Sequence, residues 1–290
     1  MENYKYRPLA GLLSIKKEEI SDANVLNTLS YAEEKIKPSP KGSAMQLAFL
    51  FYLIKILKDA GLSFYVKGGL IQHYYLEERA RPTYDLDIII KEDSDAFVEK
   101  LNYAFETNQD SLSLKIKKYE VTPANNLYYY NSFNIEIEVK ENDLECARLY
   151  IDGVVDSHIY SKIKPLTYEM PEIIAPNTNF KGVPIEYVMA EKIIAITNEL
   201  VRPFKHLVDI YSLMNLDINV DSLKEYLKLI IDNDDQIRVK LEKEVKPYIY
   251  QVKADKIFAG SYIFTVLQAG YTISYSRMIG DVNAWLAKLF

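Results

Sequence analysis

Asp85 and Asp87 stand one residue apart at the head of an apolar run, Ile88-Ile89-Ile90, and the chain reads Lys67-Gly68-Gly69 with Asp85 sixteen residues after Gly69. The pattern predicts a strand over 63–66, a glycine turn, a helix over about 70–78 and a second strand over 84–91. Side chains alternate faces along a strand, so Asp85 and Asp87 point the same way, about 6.6 Å apart along the chain. Leu86, Ile88 and Ile90 then face the core. Two like charges on one face of a half-buried strand are costly unless a positive charge sits between them. A divalent cation answers that cost, and hard carboxylate oxygens suit magnesium. Beside them, Gly68 and Gly69 let backbone N–H groups approach phosphate oxygens at a helix start. The chemistry such a set supports is phosphoryl or nucleotidyl transfer.

Taken alone, a D-x-D is most often a solvated strand end, and a Gly-Gly pair a tight turn. What favours a site is the order of parts: strand, glycines, helix, Arg81-Pro82-Thr83, then the acids. Lys67-Gly68-Gly69 followed by Arg81-Pro82-Thr83-Tyr84-Asp85-Leu86-Asp87 resembles the nucleotidyltransferase superfamily, and within it the AbiEii/AbiGii toxin family. A second block is similar to the same family: Glu186-Tyr187-Val188-Met189-Ala190-Glu191-Lys192, then Lys205-His206-Leu207-Val208-Asp209-Ile210-Tyr211. His206 departs from the pattern, standing where the family often has an acid. The resemblance spans about residues 60–215.

The resemblance implies a magnesium-dependent, pyrophosphate-releasing nucleotidyltransferase acting as a bacterial toxin of a toxin–antitoxin or abortive-infection pair. Its expected partners are a nucleoside triphosphate, an RNA acceptor such as transfer RNA, and a cognate antitoxin. It associates Lys192 with the nucleotide phosphates, and Asp209 is expected to orient Lys192 or the nucleotide. On spacing alone Lys192 reads as a snorkelling lysine beside the core positions Val188 and Ala195. Lys205 lies four residues before Asp209, an ordinary ion-pair spacing, and is assigned a secondary role.

A third carboxylate is needed on a neighbouring strand. Asp152, after the apolar run Leu149-Tyr150-Ile151 and before Gly153, is the chosen residue, with Asp156 and Asp143 as rivals. Its alternative is an Asp-Gly that starts a turn. Asp85, Asp87 and Asp152 would share one magnesium, and Asp85 and Asp87 would share a second with the triphosphate. An acceptor hydroxyl then attacks the α-phosphate in line. Arg81 and Thr83 either touch phosphate or fix the strand, Arg81 being equally readable as a plain ion-pair partner. Lys67 is placed with the glycines in the nucleotide-binding set. Glu136 and Glu138 also share a strand face, but their clean alternation reads as a wet surface. Two further readings remain: a phosphotransferase, and a non-catalytic nucleotide-binding module on the same fold. Kinase signatures are absent, and the three histidines and single cysteine, Cys146, show no zinc spacing.

The elements that must carry these residues follow from the remaining pattern. An α/β mixed-sheet nucleotidyltransferase core flanked by helices is expected over 44–183, after a helical leader over 1–43 and before a helical domain over 184–290. Helices are expected over 43–60, 93–106, 184–200 and 201–216, and strands over 112–117, 133–139 and 146–155. Beyond residue 221 the periodicity is helical. A net charge of −6 argues against a protein that coats nucleic acid. Residues 162–205 hold six basic residues against five acids and 238–256 six against three, which reads either as a solvated surface of mixed charge or as a patch for RNA backbone. A lone cysteine fits a reducing cytoplasm, and no signal peptide is expected. The apolar stretches 45–57 and 257–271 are too short to cross a membrane.

Overall fold

Apolar residues at every second position build one mixed sheet, and an almost wholly apolar helix lies under it. The structure is a computed structural model that describes residues 3–4, 43–76, 80–81, 83–108, 112–123, 131–172, 174–196, 203–231 and 273–288. The chain divides into two units, Met1–Glu78 with Thr83–Val183, and Arg79–Pro82 with Pro184–Phe290.

In the first unit the elements run β1 (Asn3–Tyr4), α1 (Ser43–Asp59), β2 (Phe64–Val66), α2 (Gly68–Leu76), β3 (Asp85–Ile90), α3 (Ser94–Thr107) and β4 (Leu112–Thr122). They continue with β5 (Asn131–Glu141), β6 (Leu144–Val155), α4 (Ser157–Lys162), β7 (Leu166–Glu169) and β8 (Asn179–Gly182). The eight strands are ordered β1-β7-β8-β2-β3-β6-β5-β4. β3 and β6 run parallel at the centre, while β4, β5 and β6 form an antiparallel meander. One face holds Leu86, Ile88, Ile90, Phe133, Ile135, Ile137, Leu149 and Ile151, all buried. The alternate residues Asp85, Asp87, Asn134, Glu136, Tyr150 and Asp152 are half-buried on the other face. α2 packs on β3, and α3 on β4 and α1. From Leu47 to Leu57, α1 is buried at almost every position, which explains an apolar run with no polar face. No helix among the described residues is long and apolar enough to cross a membrane.

Besides β1, three elements of this unit lie outside the sequence expectations. α4, β7 and β8 are four to six residues long and show no clear period. What holds β7 and β8 is tertiary. The Tyr168 and Phe180 rings stack with centroids 5.5 Å apart, and the Tyr168 hydroxyl donates to the Val183 carbonyl at 2.8 Å. At the amino end, where a helical leader is expected, Asn3 and Tyr4 form a strand parallel to β7, and residues 5–42 lie outside the described residues.

The second unit is helical: α5 (Ile185–Ala195), α6 (Pro203–Leu213), α7 (Val220–Ile231) and α8 (Tyr275–Leu286). Pro184, expected as the first helical residue, is instead the N-cap of α5, which starts one position later at Ile185. α5 packs against α6 and α7, with Tyr187 edge-on to Tyr226 at 5.6 Å, and α8 packs against α6. Residues 197–202 and 232–272 lie outside the described residues, and with them the 238–256 lysine stretch and the 257–271 apolar stretch.

Candidate active site

The acids of the first unit are placed by strand register. Asp87 on β3 is paired with Asp152 on β6, and Asp152 in turn with Asn134 on β5. Asp85 is paired with Tyr150. Asp85, Asp87 and Asp152 therefore share the half-exposed sheet face. Asp152-Gly153 is mid-strand and starts no turn, and the absent Cβ of Gly153 leaves room for the Phe133 ring. Of the two rivals, Asp156 caps α4 by accepting from the Ile159 amide, and Asp143 lies in the turn between β5 and β6.

Each carboxylate has an anchor. Thr83, itself buried, donates its hydroxyl to Asp85 Oδ1 at 3.2 Å. The Gly69 amide donates to Asp87 Oδ2 at 3.4 Å, and the Lys67 amide donates to the Asp87 carbonyl at 2.9 Å. The Asn134 amide donates to Asp152 Oδ1. Gly68 has φ +65°, which glycine adopts freely, and a Cβ there would fall on the Asp87 carboxylate. A Cβ on Gly69 would fall on the Thr83 hydroxyl. The two glycines thus cradle the acids as well as opening the start of α2. Asn134 is the residue that sequence reasoning passes over. Its signal was its place on the same face of β5 as Glu136 and Glu138. Those two glutamates are held by cations: Glu136 by Arg148 at 3.3 Å, and Glu138 by Lys117 and Lys140 at 3.2 and 2.9 Å.

Among the described residues no three or more His, Cys, Asp or Glu side chains converge to hold a metal ion as placed. The donor set nonetheless suits a hard cation. Asp85 and Asp87 are oxygen donors on one face, and Asp87 sits in a cradle that any side chain at Gly68 would fill. Asp152, one strand away, is the remaining carboxylate in register.

The second unit gathers the other expected residues around Asp209, which is buried on α6. Lys192 Nζ donates to Asp209 Oδ2 at 2.6 Å. Arg81 donates to the same carboxylate through Nε at 3.1 Å and Nη2 at 3.2 Å, in the two-pronged geometry of a guanidinium. Arg81 is thus an ion-pair partner, and Asp209 takes Arg81 and Lys192 while Lys205 stands half-buried one turn earlier. The Lys192 side chain is only 8% exposed, so its ammonium is not in water as a snorkelling lysine would be. Burial alone would raise the Asp209 pKa, but Lys192 and Arg81 outweigh it and hold the carboxyl well below the usual range. Burial pushes the Lys192 ammonium down, and Asp209 opposes that shift. His206 has a part-exposed ring, but its Nδ1 is buried without a partner among the described residues. Burial and the Lys192 charge press its pKa down to about 3, so the imidazole is neutral at neutral pH.

Comparison with known proteins gives the family. No curated protein matches the chain. Among solved structures, an antigenic nucleotidyltransferase-like protein from Paracoccidioides brasiliensis is similar at 13% identity and TM-score 0.39, over 68% of this chain and 92% of that one. The model of the family described as "Nucleotidyl transferase AbiEii toxin, Type IV TA system" matches residues 55–265, which include both blocks of site residues. The chain belongs to the AbiEii nucleotidyltransferase toxin family of type IV toxin–antitoxin systems.

Proposed function

We propose that the protein transfers a nucleotide from a nucleoside triphosphate to the end of an RNA acceptor, of the transfer RNA class, and releases pyrophosphate. The observation that carries this reading is the cradled pair on β3: Asp85 and Asp87 on one face, with Gly68 and Gly69 shaped to admit the Asp87 carboxylate and the Thr83 hydroxyl. Asp85 and Asp87, with Asp152 beside them, would hold magnesium, which when bound supplies charge stabilisation worth several kcal/mol. The acceptor hydroxyl forms the new bond to the α-phosphorus, the bond to the β-phosphate oxygen breaks, and the hydroxyl proton leaves to solvent. The chain's own part is to hold the acids in place through Thr83, Gly69 and Asn134. Lys67 and the Gly68 amide at the start of α2 bind phosphate oxygens.

Lys192, in the second unit, is a further candidate phosphate ligand. A lysine ammonium has three protons, and among the described residues Asp209 is its one hydrogen-bond partner. Buried and oriented by Asp209, it has donors to spare for a phosphate. Arg81 and Asp209 fix its position, and Lys205 adds charge at the margin. The exposed, unpaired Cys146 agrees with a reducing cytoplasm, where a cognate antitoxin would control the activity.

The deciding experiment incubates the pure protein with each labelled nucleoside triphosphate, magnesium and total RNA. Label appearing in one RNA fraction, and lost on chelation, is expected. Magnesium-dependent triphosphate binding with no label in any RNA would overturn RNA as the acceptor. Calorimetry showing no triphosphate binding at millimolar ligand would overturn the enzyme itself.

A further inference from the structure

The face that carries the acids also carries an aromatic pair that the proposed chemistry does not use. Tyr65 on β2 is paired with Ile89 on β3, so its ring lies on the side of the sheet that carries Asp85, Asp87 and Asp152. Asp87 is its diagonal neighbour, about 7–8 Å away between α-carbons. Tyr160, on α4, lies flat on Tyr65 with ring centroids 4.0 Å apart and planes 5° from parallel. Both rings are half-buried. Lys91 Nζ, on an exposed side chain, stands 5.9 Å from the centre of the Tyr160 ring.

Most tyrosine pairs in proteins meet edge to face or well offset, as Tyr74 and Tyr168 do here at 65°. A parallel pair is instead the start of a stack, and a third flat ring extends it. Nucleobases stack on tyrosine without regard to sequence, since each has a π-face. A base joined through its ribose to a phosphate at the carboxylates falls within reach of a ring one diagonal step away. Lys91, whose ammonium stands over the Tyr160 ring, offers charge to the next phosphate.

We propose that Tyr65 and Tyr160 form a platform on which a nucleobase stacks during transfer. This rests on the nucleotidyltransferase reading above. The base belongs either to the incoming triphosphate or to the acceptor end, and the two sources separate by which Michaelis constant moves. The pair is a positioning device that leaves the reacting atoms to the acids.

The test compares Tyr160→Leu, which keeps an apolar cover over the strand, with Tyr160→Phe, which keeps the stack. Tyr160→Leu is expected to raise KM roughly tenfold for one substrate at unchanged kcat, while Tyr160→Phe behaves as wild type. A rise for the triphosphate assigns the incoming base, and a rise for RNA assigns the acceptor base. Unchanged KM for both substrates overturns the platform. A binding measurement covers the case of a poorly folded variant or a protein that transfers nothing. Wild-type protein should quench the fluorescence of 2-aminopurine carried on a triphosphate or at the end of an oligonucleotide. Absence of quenching with both probes at saturation overturns the platform, and quenching without transfer overturns only the transferase reading.

Discussion

The carboxylates on β3 and the carboxylate on α6 are kept in two different ways. Asp85 and Asp87 lie half-buried on a sheet face, like charge beside like charge, each anchored through one oxygen by Thr83 or the Gly69 amide. Asp209 is buried in its own unit, with both oxygens taken by Arg81 and Lys192. On the proposed reading the first arrangement gives up folding energy to hold charge where a cation and a substrate would reach it. The second spends charge on structure, since a buried pair that loses one partner leaves the other uncompensated. Substitution should therefore separate them, the first through activity and the second through stability.

The largest effect is expected at β3. Asp85→Asn or Asp87→Asn keeps the shape and removes the charge, so transfer should fall by about a thousandfold or more. Melting temperature should hold or rise, because like-charge repulsion is relieved. Rates and thermal melts on the same preparations check this, and a fully active asparagine variant refutes the metal-ligand assignment. Next comes Asp209→Ala, which strands the buried Lys192 ammonium and the part-buried Arg81 guanidinium and should cost about 3–5 kcal/mol in urea unfolding. If Asp209→Ala loses less than about 1 kcal/mol, the contrast between the two regions collapses.

The β3 half of this comparison was legible in the sequence for a local reason. Alternation along Asp85-Leu86-Asp87-Ile88 fixes which side chains share a face, and the Leu149-Tyr150-Ile151 run marks a neighbouring strand that brings up Asp152. Register is not local. That Asp152 stands opposite Asp87, or meets Asn134 from β5, depends on strand pairing that a single sequence does not specify. The glycine turn was readable as a phosphate-approach motif, but not as a cradle for Asp87. That role appears only when β2, α2 and β3 are brought together. On α6 the spacing offered Lys205 as a neighbour of Asp209, while the family resemblance pointed to Lys192. The carboxylate takes Lys192 on α5 and also Arg81, 128 residues away, a partner that neither signal named, because burial rewards partners that come from within the packed unit. β7 and β8 escaped for the same reason: Tyr168 and Phe180 are buried by each other, and no period announces it.

Acid should sharpen the contrast by acting on the second unit. The unfolded chain protonates an imidazole near pH 6.5, whereas His206 in the folded protein does so only near about 3, so stability falls as pH drops from 6.5 toward 3. Asp209 has its folded pKa depressed, so its contribution is full above the unfolded value of 3.8 and drains away below it. Urea midpoints from pH 7.5 to 3 should show a two-part decline. His206→Asn should flatten the part above pH 4 and leave the part below it. A wild-type midpoint that stays level between pH 7 and 4 would remove His206 from this role.

The smallest effect is expected at Lys205, and it decides how local the α6 cluster is. An i,i+4 lysine and aspartate on an exposed helix are worth about 0.2–0.5 kcal/mol to each other. Here Asp209 has already committed its oxygens to Arg81 and Lys192, so even that small term is not available to Lys205. Lys205→Ala should shift stability by no more than about 0.5 kcal/mol and leave triphosphate affinity nearly unchanged. Lys192→Ala removes a charged donor from a dry site, and should weaken triphosphate binding by about tenfold or more. Calorimetric titration of the two variants with one triphosphate makes the comparison directly. Equal, small losses of affinity from both substitutions, with only Lys192→Ala lowering the melting temperature, would make Lys192 a structural partner of Asp209 and nothing more.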